Sequence, residues 1–214
     1  MNRLIVITIS AGLLLDVLWP QYGQIVVNGC VWAVCGALYL RTDRSGRPAL
    51  IACLVIATAG EVFLSLVWGL YEYRLHNIPL FVPPGHVLLF FLGTQIAART
   101  PPGSEWWIAA LALPIVAVFA WQGSDTLGPV LYGFFILCLL ISPSRRLYAT
   151  MFVLSLAMEF YGTWIGNWAW ADRVPLLGLT MQNPPVASGA FYCVLDLLVL
   201  TATGRIASMR TAKA

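Results

Sequence analysis

The run from Pro48 to Trp68 carries one charged side chain, Glu61, in a stretch long enough to cross the hydrocarbon core of a bilayer. At about 1.5 Å of rise per residue, a helix of this length spans the ~30 Å of lipid chains. Seven more apolar runs follow the same pattern: Leu4–Trp19, Gln24–Leu40, Pro79–Ala98, Glu105–Ala120, Gly128–Ile141, Leu147–Ile165 and Val186–Ile206. Short loops rich in Gly, Pro or Arg separate them. Charged residues make up 10% of the chain, against about 25% in a soluble domain, so polar groups cannot cover the surface. The expected fold is an all-α polytopic membrane helix bundle of eight transmembrane helices, with residues 1–214 forming a single integral membrane domain. Arg3 before an apolar run is a signal-peptide feature, but Asp16-Val-Leu-Trp-Pro continues that run without a small-x-small cleavage site. It is read as a retained first span.

Basic residues orient the bundle. Arg3, Arg41, Arg44, Arg47, Arg99, Arg145, Arg146, Arg205, Arg210 and Lys213 fall at the termini or in the loops joining even spans to odd ones, and only Arg74 and Arg173 fall opposite. Both termini are expected on the cytoplasmic side of a plasma or inner membrane. This distribution explains the formal charge of +3 and leaves no basic stripe for nucleic acid. Cys30, Cys35, Cys53, Cys138 and Cys193 lie within the spans without a C-x-x-C and read as small buried hydrophobes. The sole lysine, Lys213, lies outside the bundle, which excludes a Schiff-base chromophore.

An internal repeat sets the next constraint. The segment GEVFLSLVWGLYEYRLHNIPLFVPPGH from Gly60 resembles MEFYGTWIGNWAWADRVPLLGLTMQNPPVASG from Met158. Each has a glutamate late in a helix (Glu61, Glu159), then a glycine (Gly69, Gly166), then aromatics at alternate positions (Tyr71 and Tyr73; Trp168 and Trp170). An arginine follows (Arg74, Arg173), and then a proline pair at the head of the next span. The chain is therefore expected to form two tandem four-helix halves, residues 1–99 and 100–214, related by an axis along the membrane normal.

Within the spans the ionisable residues are Asp16, Glu61, Glu159 and Asp196, with His86 at the head of the fourth. A carboxylate in a bundle core faces inward, pairs, or binds a proton, because loss of water disfavours its charge. Held protonated, it is a usable general acid. Asp196, in YCVLDLLVL, needs a partner from another helix, best from the two carrying glutamates, whereas Asp16 is placed to reach water. His86 is a cap or a partner of Glu61. Two histidines and scattered carboxylates give no metal signature, and hydrolase, Walker and dinucleotide patterns are absent. Neither metal nor cofactor is implied. The aromatics Trp68, Tyr71, Tyr73, Trp164, Trp168 and Trp170 form either an interfacial belt or a wall that stabilises cations.

The pattern E-x-x-G-x-x-x-G-x-W-x-W-x-D-R, read through Glu159, Gly162, Gly166, Trp168, Trp170, Asp172 and Arg173, resembles a motif of membrane carotenoid-biosynthesis proteins. These are the carotenoid C-1′,2′ hydratases and, more loosely, the small membrane lycopene cyclases built from tandem helical units, whose Pro-x-Glu-Glu pair is absent here. The positions of Glu61 and Asp196 are also similar to the early Glu and late Asp of the small membrane meroterpenoid cyclases. These resemblances imply helical membrane enzymes that protonate isoprenoid double bonds and then hydrate, isomerise or cyclise them. On this reading Glu61, Glu159 and Asp196 are catalytic. Trp68, Tyr71, Tyr73, Arg74, His86, Trp164, Trp168, Trp170, Arg173 and Asn183 bind a lipophilic small-molecule substrate, and membrane lipid is the other expected partner. The competing expectation is a non-catalytic lipid-binding or transport protein in which Glu and Arg form structural pairs.

Overall fold

The computed structural model describes residues 1–211, with side chains described through residue 204. Among these, eight α-helices follow the apolar runs: α1 (Asn2–Leu18), α2 (Gly23–Arg41), α3 (Arg47–Glu61), α4 (Val82–Ala97), α5 (Ser104–Trp121), α6 (Gly128–Ile141), α7 (Arg145–Ile165) and α8 (Gly189–Thr211). Three stretches are long and apolar enough to cross a membrane: Gly23–Arg41, Arg47–Val67 and Ser104–Trp121. Shorter apolar helices cover Val82–Ala97, Gly128–Ile141 and Gly189–Gly204. Large apolar side chains such as Leu40, Leu66, Leu111 and Leu140 remain outside the core. A surface of this kind fits lipid rather than water. Lys213 lies outside the described residues, as do the side chains of Arg205 and Arg210.

At the two proline pairs the helix starts differ from the apolar runs. α4 begins at Val82, with a proline in its first turn, rather than at Pro79. Proline there loses no helical hydrogen bond and has a favourable φ. Pro184 and Pro185, by contrast, do not open α8, which starts at Gly189 after a turn. The paired prolines therefore hold different positions in the two repeats.

Between α3 and the next strand the helix changes pitch. Val62–Val67 forms a π-helical turn, whereas α7 runs as α-helix to Ile165. The sequence has one residue more between Glu61 and Tyr71 than between Glu159 and Trp168. A π turn absorbs such an insertion without rotating what lies on either side. Gly69 and Gly166 then turn the chain with φ of +73° and +85°, a left-handed conformation that glycine adopts without Cβ strain.

Each turn feeds a short strand, β1 (Tyr71–Tyr73) or β2 (Trp168–Trp170), and the two pair antiparallel. The register sets Tyr71 opposite Trp170, Glu72 opposite Ala169 and Tyr73 opposite Trp168. Beyond the strands, Arg74 N–H donates to Asn167 O and Ala171 N–H donates to Leu70 O, both at 2.9 Å. A local two-fold through Glu72 and Ala169 thus matches Tyr71 to Trp168 and Tyr73 to Trp170. It also matches Arg74 to Ala171, which corrects the pairing of Arg74 with Arg173 read from the repeat. Around the ribbon, α3 packs on α4 and α8, and α7 packs on the same two helices.

Candidate functional site

Strand alternation puts Tyr71, Tyr73, Trp168 and Trp170 on the inner face of the ribbon and Glu72 and Ala169 on the outer face. The inner aromatics pack across the strands, with Tyr71 and Trp170 centroids 4.8 Å apart and Tyr73 and Trp168 6.0 Å apart. Such cross-strand pairs stabilise a ribbon that is marginal alone. Their polar atoms all reach glutamates. Tyr71 and Tyr73 hydroxyls donate to Glu61 Oε2 at 2.8 and 2.7 Å. The Trp168 and Trp170 indoles donate to Glu159 Oε2 at 2.8 and 3.1 Å. Two equivalent strands thereby cage two equivalent carboxyls.

The helix after each strand completes its cage. His86 Nε2 of α4 lies 2.8 Å from Glu61 Oε1, and the Tyr192 hydroxyl of α8 donates to Glu159 Oε1 at 3.0 Å. The His86 and Tyr192 rings then stack on each other at 4.9 Å. The result is a closed ring of side chains joining the two carboxyls through Tyr71–Trp170 on one side and His86–Tyr192 on the other. Both glutamates are buried, 6% exposed each. Burial, with Glu61 beside them, pushes the Tyr71 and Tyr73 phenols well above their ordinary range, so both remain hydroxyl donors.

The glycine in E-x-x-G has a packing cause. A methyl group on Gly162 would overlap the six-membered ring of Trp168, so only glycine lets that indole lie over α7 and reach Glu159. This is a close-approach glycine, unlike the turn glycine Gly166.

The ring closes one end of a cavity of about 490 Å³. Glu61, Glu159, Tyr71, Tyr73, His86, Trp168 and Trp170 all line it, together with Tyr192. Apart from Thr8 its remaining wall is apolar, including Ile56, Leu89, Leu131 and Leu195. Polar groups are therefore concentrated at the ribbon end of an otherwise greasy space, a common form for a small-molecule site. His86 Nδ1 is buried there without a partner. On the outer side of the ribbon a second hollow, about 430 Å³, is bordered by Glu72, His76 and Asn77.

Six residues expected in the site lie elsewhere. Trp68, half-buried against the core, donates its indole N–H to Pro175 O at 3.1 Å, and Trp164 is 83% exposed; neither lines the cavity. Arg74 donates to Asp16 O at 2.6 Å and pairs with Asp16 Oδ1 at 3.3 Å. Asp16 also accepts from Asn167 Nδ2 at 3.0 Å and is 2% exposed, so it is a buried partner and does not reach water as expected. Arg173 is exposed and donates to Gly178 O at 3.2 Å. Asn183 faces outward and accepts the Trp170 backbone N–H at 3.0 Å, bracing β2.

Asp196 is fully buried but does not line the cavity, and neither oxygen has a hydrogen-bond partner. The partner expected from the glutamate-bearing helices is not there. The structure also adds Tyr192, which sequence reasoning missed. Its signal was its place a few residues after the second proline pair, where the first repeat has His86.

No family model, curated protein or solved structure matches this chain. What the fold and site define is a helical bundle whose apolar cavity ends in two caged carboxyls.

Proposed function

We propose that the chain is an integral membrane enzyme of eight spans in two four-helix halves, with cytoplasmic termini and the ribbon at the opposite face. It protonates an alkene of an isoprenoid-type lipid, giving cyclisation, isomerisation or hydration. The observation that carries this reading is the ring itself: two carboxyls, held by unlike donors, at the polar end of one apolar cavity.

The donors divide the roles. Indole N–H groups only donate, so Glu159 Oε2, facing two of them, is held as an acceptor. Tyrosine hydroxyls and an imidazole nitrogen can donate or accept, so the Glu61–His86 pair can hold a transferable proton. Glu61 gives that proton to one alkene carbon, whose π electrons form the new C–H bond and leave a carbocation on the other carbon. The faces of the surrounding aromatics stabilise the cation by about 0.5–2 kcal/mol each. Capture by an internal alkene moves the cation along the chain until a neighbouring C–H proton is lost, whereas capture by a hydroxyl or a water releases an O–H proton. Glu159 opposes the cation's charge and takes up the released proton, and exchange with solvent then returns Glu159 to the carboxylate and Glu61 to the acid. Cyclisation and isomerisation conserve protons, and hydration consumes one water.

Glu61→Gln and Glu159→Gln in purified protein test this reading, with linear isoprenoid polyenes as substrates. Each should lower turnover by roughly 10²–10⁴-fold while the fold is retained. Unchanged turnover in both variants refutes it. Loss of lipid binding in both, with no turnover by the parent protein, points instead to a lipid carrier.

A further inference from the structure

The two halves differ where each glutamate meets its helix flank. The residue before the carboxyl is Gly60 in one and Met158 in the other, and both line the cavity. The neighbouring helices differ as well. α5 and α6 both pack on α7, whereas α1 packs on α2, α4 and α7, and α2 on α1 and α4, so the flank of α3 away from α4 and α8 has no closely packed helix. On that flank Ala59 and Phe63 are exposed, yet they also line the cavity. Cavity wall and outer surface therefore meet there.

Two details mark this as an opening. A Cβ on Gly60 would have no atom within 4 Å, so the residue borders free space. The π turn beyond it turns Phe63, Leu66 and Val67 outward, 51, 61 and 70% exposed. Apolar side chains displayed in this way suit acyl chains, and π turns in helices recur at functional sites.

We propose that the cavity loads sideways from the bilayer past Gly60, and that an apolar chain enters there, its reactive end leading toward the ribbon. Met158 supplies the side chain that closes the equivalent flank of the second half. This rests on the membrane-enzyme reading above and adds to it the route and the extended, chain-like shape of the ligand. Phe134 and Leu198 are also exposed cavity residues, and they form the competing exit.

Geranylgeraniol carrying a terminal diazirine is the probe, with the protein in phosphatidylcholine nanodiscs. In the parent protein, early crosslinks should fall on residues 56–67 rather than on the α6 and α8 segments around Phe134 and Leu198. Gly60→Met, which copies the second half, should slow labelling of the cavity about tenfold. Gly133→Met is the control, since Gly133 faces outward on α6 with equal room for a side chain and does not line the cavity. It should label as the parent does. Early crosslinks on α6 and α8, or full-speed labelling of Gly60→Met, overturn the route. The parent crosslinks decide the matter even if Gly60→Met does not fold. Labelling requires no turnover, so this outcome is separate from that of the glutamate variants.

Discussion

Glu61 and Glu159 occupy matching places beside one ribbon, yet the chemistry that holds them differs. Glu61 faces two phenols and an imidazole, all able to pass a proton. Glu159 faces two indoles that can only donate, plus one phenol. The two cages share a geometry and differ in protonic character. The same contrast recurs around them, with Gly60 and a π turn on the first flank and Met158 and regular helix on the second.

Substitutions that exchange these differences sharpen the comparison. His86→Phe removes the imidazole of the first cage and should lower isoprenoid turnover by roughly 10²-fold. Tyr192→Phe deletes one of three donors to Glu159 and should cost less than about tenfold, near the ~1 kcal/mol of one hydrogen bond. Equal losses measured in the same assay would break the division of roles.

Stability separates the arginines. Arg74→Ala strips a buried Asp16 of its charged partner and should destabilise the protein by about 3–5 kcal/mol in thermal or denaturant unfolding. Asn167 remains to accept part of that load. Arg173→Ala, with one exposed backbone contact, should stay within about 0.5 kcal/mol. Gly162→Ala comes between them, at about 1–3 kcal/mol, because its methyl displaces Trp168. Loss of the Trp168–Glu159 bond in that variant should appear as a change in the tryptophan emission spectrum.

The apolar runs made the helices legible, since each of the eight coincides with a charge-poor stretch of sequence. The two glutamates and the alternating aromatics were legible too, because strand periodicity and a repeated spacing both act locally. Contacts between distant segments were not. Trp68 and Trp164 share the composition of the cage aromatics, and only the ribbon register decides which rings face inward. Arg74 and Arg173 align by type, but hydrogen bonding beyond the strands equates Arg74 with Ala171. Tyr192 lay hidden because the loop before α8 is longer than the one before α4, which breaks the spacing to His86.

Turnover in D₂O tests the central claim most directly. With a linear isoprenoid polyene that the protein converts, transfer of an exchangeable proton from Glu61 to an alkene carbon predicts one carbon-bound deuterium in each product molecule by mass spectrometry. Glu61→Gln should lower formation of that product by roughly 10²–10⁴-fold. Product formed in D₂O without deuterium, or formed by Glu61→Gln at the parent rate, would contradict the assignment of Glu61 as the acid.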